Sequence, residues 1–122
     1  MYKLLLPIIL LISTSLFTQT ANQETEQANS AYKTGNYRVA LSHYIKADSL
    51  ASGDAILNYR IGICQRETYQ FDEAIQSFNK TKELGYTSND INLMVAKTYH
   101  LDHQFEKAEV EYKKYGSGLD VS

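Results

Sequence analysis

Small and large apolar residues return along this chain at one fixed interval. Ala40, Ala74 and Ala108 are 34 residues apart, and so are the rings Tyr37, Phe71 and Phe105 and the rings Tyr44, Phe78 and Tyr112. A fourth column holds only small residues, Ala28, Gly62 and Ala96. Columns kept in phase over successive copies define a repeat, and a period of 34 is that of stacked helix-turn-helix units. Helices are predicted over 23–34 and 37–50, over 55–68 and 72–84, and over 90–101 and 104–115. Gly35-Asn36 breaks the first pair with a dipeptide that tolerates positive φ. Tyr69-Gln70 stands at the equivalent place in the second pair, where a glycine is usual, and predicts a stiffer turn. Between units, Gly53 suits a helix C-cap and Asp54 the N-cap that follows, Gly85 closes the second unit, and Ser88 or Asn89 is expected to cap the next helix. The third unit is expected to end at Gly116-Ser117-Gly118.

The columns follow from packing. Antiparallel helices approach to about 8–10 Å only where small side chains meet at the crossing, and Gly62 and Ala74 supply that gap. The ring four residues after each alanine lies on the same helix face, one turn on, and is placed to fill the groove toward the next unit. The aromatic stripe is therefore assigned to the core.

These columns resemble the tetratricopeptide repeat (TPR) family. Its signature of a large residue, Leu-Gly, then Tyr, then A-x3-F is matched by Ile61-Gly62 with Ala74 and Phe78, and by Val95-Ala96, Tyr99, Ala108 and Tyr112. The likeness covers residues 21–122 and departs from the family in lacking Trp, in lacking Pro between repeats, and in Gln65 and Gln27, which replace an aromatic and a Leu. It implies an all-α, right-handed superhelical solenoid of three TPR helix-turn-helix units, repeats 21–54, 55–88 and 89–122, with a TPR domain over 22–115 and a linker-like tail over 116–122. No C-terminal capping helix is expected after the last repeat. Each unit of a solenoid leaves an apolar flank for its neighbour, so the last helix is expected to be covered by a second copy, by a missing downstream domain or by a partner.

In the TPR family the first helix of each unit lines a concave groove that holds extended or helical peptides, and the resemblance implies a protein or peptide partner here. Helical phase places Asn29 and Tyr32 in that groove from the first unit, Tyr59, Arg60, Ile63 and Arg66 from the second, and Met94, Lys97 and His100 from the third. Arg60, Arg66 and Lys97 suit an acidic segment, while Tyr59, Ile63 and Met94 offer apolar contact, Met being adaptable to varied partners. TPR domains that clasp a C-terminal carboxylate use a Lys and Asn pair on the first unit. Only Asn29 matches that pattern: Thr25 replaces the Lys, and Asp90 and Met94 stand where cations are needed.

Composition narrows the function further. With 12 Lys and Arg against 14 Asp and Glu, the net charge of −2 leaves no basic field for nucleic acid. Residues 1–21 read as a signal peptide: a basic start at Lys3, an apolar run from Leu4 prolonged to Phe17, too short for the roughly 20 residues a bilayer needs, and a polar stretch in which cleavage near Thr18 to Ala21 is expected. The chain is thus expected to be exported, periplasmic or at the cell surface, and to meet a membrane only indirectly. Cys64 is the sole cysteine, which excludes an intrachain disulfide and fits a small core thiol. His100, Asp102 and His103 fall at a helix end and turn rather than converging as metal ligands do, so no metal site is assigned. Asp72, Glu73 and Glu106 sit at helix starts, where they favour the dipole. With no Ser/His/Asp set, phosphate loop or HExxH motif, neither an enzyme nor a cofactor is expected.

A narrower resemblance follows from LNYRIGICQ and VAKTYHLDHQFEKAEVEYKKY behind the leader. These segments are similar to the N-terminal TPR portion of Gram-negative cell-envelope proteins, in which the repeats precede a WD-type β-propeller and an OmpA-like peptidoglycan-binding domain linked to type IX secretion and gliding. Neither later domain is in this sequence, so peptidoglycan binding is not carried over. The expectation is an exported scaffold that binds a polypeptide within an envelope complex, with a structural segment acting through stacking of its uncapped end as the alternative.

Overall fold

The structure, a computed structural model, describes residues 5–119. Those residues form six α-helices and contain no strand, and they divide into two units at Gly53/Asp54.

The first unit is one hairpin, α1 (Leu5–Lys33) packed on α2 (Tyr37–Leu50). Ala28 and Ala40 are both fully buried, and their small side chains let the two backbones approach. Ala21, Leu41, Tyr44 and Ala47 are buried with them. The Tyr44 hydroxyl donates to Asn29 Oδ1 at 2.6 Å, so the ring's polar end is satisfied inside the hairpin. Tyr32 meets Tyr37 edge-on at 5.5 Å, and His43 Nδ1 lies 2.6 Å from Glu24 Oε2. The expected start of the first helix at residue 23 is corrected, since α1 begins at Leu5. From Ile8 to Lys33 the chain has neither Gly nor Pro, and Pro7 falls in the first turn, where its missing N–H costs no helical bond.

The second unit holds α3 (Ala55–Glu67), α4 (Phe71–Glu83), α5 (Asp90–Leu101) and α6 (Phe105–Leu119), with α3 on α4, α4 on α5 and α5 on α6. As the sequence predicts, Asp54 caps α3, its Oδ1 accepting from the Leu57 N–H at 3.0 Å. The core joins Ala74 and Phe78 of α4 to Ile91 and Val95 of α5, ringed by Tyr59, Ile63, Tyr86, Met94 and Tyr99. Phe78 thus fills the groove toward the following hairpin, the role its column assigns to it. Tyr59 extends the aromatic layer, 5.8 Å from the Phe78 ring and stacked on Tyr86 at 5.8 Å.

One conformation recurs at all three hairpin turns. Gly35, Tyr69 and His103 have φ of 77°, 65° and 59° and occupy the same position of the repeat. Each turn closes alike: the Asn36, Gln70 and Gln104 N–H groups donate to Ala31, Gln65 and Tyr99 carbonyls at 2.8–2.9 Å. Glycine adopts the left-handed region freely, whereas Tyr69 and His103 do so against the clash of Cβ with the following carbonyl.

At the far end, α6 runs on through Gly116-Ser117-Gly118 to Leu119, past the expected stop. The Asn89 side chain holds that extension by donating from Nδ2 to the Tyr115 carbonyl at 2.7 Å. Asn89 Oδ1 accepts from the Asn92 side chain at 3.0 Å rather than from a backbone N–H of α5, and Ser88 Oγ accepts from the Asp90 N–H at 3.3 Å. Among the described residues no helix is long and apolar enough to cross a membrane.

Candidate protein-binding site

The C-terminal halves of α3 and α5 meet at one recess. Arg66 and Glu67 from α3, Lys97, His100 and Leu101 from α5, and Tyr112 from α6 line about 330 Å³ of open space. Arg66 is the unusual member. Its side chain is only 15% exposed, and an Arg always carries its charge. Its Nη2 donates to Glu67 Oε1 at 3.0 Å and its Nη1 to the Met94 thioether at 3.0 Å, a weak acceptor. The buried Nε meets no acceptor among the described residues. One neighbouring carboxylate, itself 38% exposed, therefore balances a largely desolvated guanidinium. Lys97 and His100 add exposed donors at the rim, and Leu101, 52% exposed, with the Tyr112 ring supplies apolar wall. The recess fits an acidic group carried on an apolar or aliphatic stem.

Of the nine predicted groove residues, Arg66, Lys97 and His100 line this recess and Met94 supports it through Arg66. Tyr59 and Ile63 pack against the core of the second unit and are half-buried, as is Arg60. Asn29 and Tyr32 lie in the first hairpin, where Asn29 accepts the Tyr44 hydroxyl and Tyr32 sets its edge on Tyr37 and Tyr44. Tyr112 escaped the sequence reading because its column marks it as core.

The remaining reactive groups have structural surroundings. Cys64 is fully buried, and burial, reinforced by the Glu67 carboxylate, pushes its thiol up to about 12. The His100 ring packs edge-on against Phe105 and Tyr112, and His103 against Phe105.

Helix hairpins repeating at 34 residues, with small residues at each crossing, define a helical-repeat protein. Solved structures place the fold more closely. The TPR domain of Arabidopsis OM64 is similar at 17% identity, covering 81% of this chain and 82% of that one, with a TM-score of 0.72. The second TPR of Spaghetti (RPAP3), bound to an HSP90 peptide, is similar at 14% identity over 84% of this chain and 94% of that one, TM-score 0.70. The Yersinia enterocolitica type III secretion translocator chaperone SycD is similar at 20% identity over 80% of this chain and 74% of that one, TM-score 0.70. No family model and no curated protein matches the chain in sequence. The chain has the TPR fold.

Proposed function

We propose that the chain is a non-catalytic scaffold that holds an acidic segment of a partner polypeptide in the recess beside Arg66. The observation that carries this is the under-compensated guanidinium: a carboxylate entering the recess would form charge-assisted bonds that Met94 cannot offer. Peptide capture on this fold has precedent in the Spaghetti (RPAP3) domain bound to its HSP90 peptide. The Lys-Asn carboxylate clamp is not the proposed mode, because Thr25 stands in place of the lysine and Asn29 is engaged with Tyr44. The setting we propose is the cell envelope, reached by export. Support for it comes from the basic start, apolar run and polar stretch of residues 1–21 and from the likeness of the repeats to envelope proteins. Mass spectrometry of the chain from a periplasmic fraction is expected to find a new N-terminus near Thr18 to Ala21, and an intact Met1 would refute export by cleavage.

Binding is tested with a labelled Glu-rich peptide and its Gln-for-Glu counterpart, measured by anisotropy. The acidic peptide is expected to bind, the neutral one to bind at least about tenfold more weakly, and Arg66→Ala with Lys97→Ala to remove the difference. Equal affinity for both peptides would refute an anionic site.

A further inference from the structure

The last helix carries an apolar face that the repeat covers elsewhere. Tyr44 and Phe78 are fully buried, whereas Tyr112, of the same column, is 37% exposed, and Phe105 is 56% exposed. With His100 and Ala108 these rings bound an open groove of about 460 Å³, flanked by Glu109 and Lys113. The groove is a formed surface, since His100 meets Phe105 at 5.4 Å and Tyr112 at 6.4 Å, both edge-on.

The repeat shows what such a face takes. In the preceding hairpin Phe78 is covered by Ile91 and Val95 of the next helix. In the first helix of a second copy the same repeat positions hold Gln23 and Gln27, both exposed. Burying two glutamines against rings leaves amides without partners, so stacking head to tail is disfavoured. A two-fold pairing of identical faces has no such cost.

Charge selects the orientation. On the groove face of α6 Glu109 stands one turn before Lys113, while Lys114 is engaged with Glu111 of its own helix at 2.8 Å. Lys107 is directed elsewhere, to Gln104 and over the Tyr99 ring. Two α6 helices laid antiparallel set Glu109 on Lys113 twice, by symmetry, while a parallel pair sets like on like. Within one chain Glu109 and Lys113 pair at 2.9 Å, on side chains 65% and 74% exposed and therefore free to exchange partners.

We propose that a second copy of this chain docks on this face as a two-fold dimer. The α6 helices run antiparallel, Phe105 and Tyr112 fill the interface, and Glu109 of each chain faces Lys113 of the other. The surface is distinct from the Arg66 side of the recess, although Tyr112 and His100 border both.

The test uses the full chain in mild detergent, with mass measured by light scattering after size exclusion. Wild type is expected to be dimeric. Glu109→Lys and Lys113→Glu should each weaken the dimer by about tenfold or more, because each sets like charges together twice. An equimolar mixture of the two variants should restore it, since every facing pair is then complementary. Tyr112→Asp should be monomeric with unchanged helical circular dichroism; if it does not fold, the two surface charge variants decide the matter. A monomeric wild type, association that ignores both charge reversals, or a mixture that stays monomeric would each overturn the proposal.

Discussion

The ring of Phe78 lies directly over the bare Cα of Gly62: a methyl carbon placed there would come within 2.7 Å of Phe78 Cε1 and 2.8 Å of Cδ1. Phe78 cannot retreat easily, being fully buried between α3 and the Ile91 and Val95 side chains of α5. Gly62 is thus the contact point at which α3 and α4 are set, and the ring that fills the groove toward α5 depends on it.

Two opposed effects meet in Gly62→Ala. Alanine is the better helix former by about 1 kcal/mol, but overpacking a fixed ring costs about 1–3 kcal/mol. Net destabilisation in urea unfolding is expected, together with a larger loss of about 3–5 kcal/mol for Phe78→Ala, which leaves a cavity instead. A Gly62→Ala chain more stable than wild type would show that the ring yields.

The shared left-handed turn makes a second comparison within one molecule. Tyr69 is 82% exposed and gives up only an edge contact with Phe71, so Tyr69→Gly removes strain at small packing cost. A left-handed non-glycine residue costs about 1–2 kcal/mol, offset in part by the greater freedom of glycine in the unfolded chain, about 0.4–1 kcal/mol. Tyr69→Gly is expected to stabilise by about 0.5–1 kcal/mol and Gly35→Ala to destabilise by about 1 kcal/mol. Thermal melts that move both variants the same way would contradict the strain argument.

The hairpins were legible because the columns obey packing rules that hold whatever the surface does. Ala28, Gly62 and Ala96 must be small, and Tyr44 and Phe78 must be large, wherever helices cross at this spacing. The turn at Tyr69 was legible only as a missing glycine, since the backbone keeps the repeat's geometry and strains the residue instead. Gly116 and Gly118 signalled a stop, yet α6 continues to Leu119, with the Asn89 side chain bonded to the Tyr115 carbonyl from 26 positions earlier. The site was harder to read for a related reason. Helical phase puts Asn29 and Tyr59 on the first-helix face but says nothing of the rings that reach them from elsewhere, Tyr44 in one case and Tyr86 in the other. The pairing of Arg66 with Met94 crosses 28 positions and has no sequence signature.

Asn29 supplies a test of that distinction. Its Oδ1 accepts from the buried Tyr44 hydroxyl, so Tyr44→Phe and Asn29→Ala should each cost about 1–2 kcal/mol, and the double variant less than their sum. Peptide affinity at Arg66 should stay unchanged in both. Additive losses in a double-mutant cycle would mean that the bond contributes nothing.

The buried thiol of Cys64 makes stability depend on alkaline pH. Its ordinary value is 9.0, and burial raises it to about 12 in the folded chain. Above pH 9.0 the unfolded chain releases a proton that the folded chain keeps, so this contribution is complete below pH 9.0 and is lost as pH rises toward 12. The slope reaches at most about 1.4 kcal/mol per pH unit. Lysines and tyrosines titrate in the same range, so the measurement is the difference between wild type and Cys64→Ala in urea unfolding from about pH 8 to 10.5. Wild type should lose stability more steeply than the variant as pH rises, and its thiol should react with a disulfide reagent at pH 8 only after unfolding, since the thiolate is the attacking species. Parallel pH profiles, or rapid labelling of the folded chain, would place the thiol in contact with water and contradict its burial on α3.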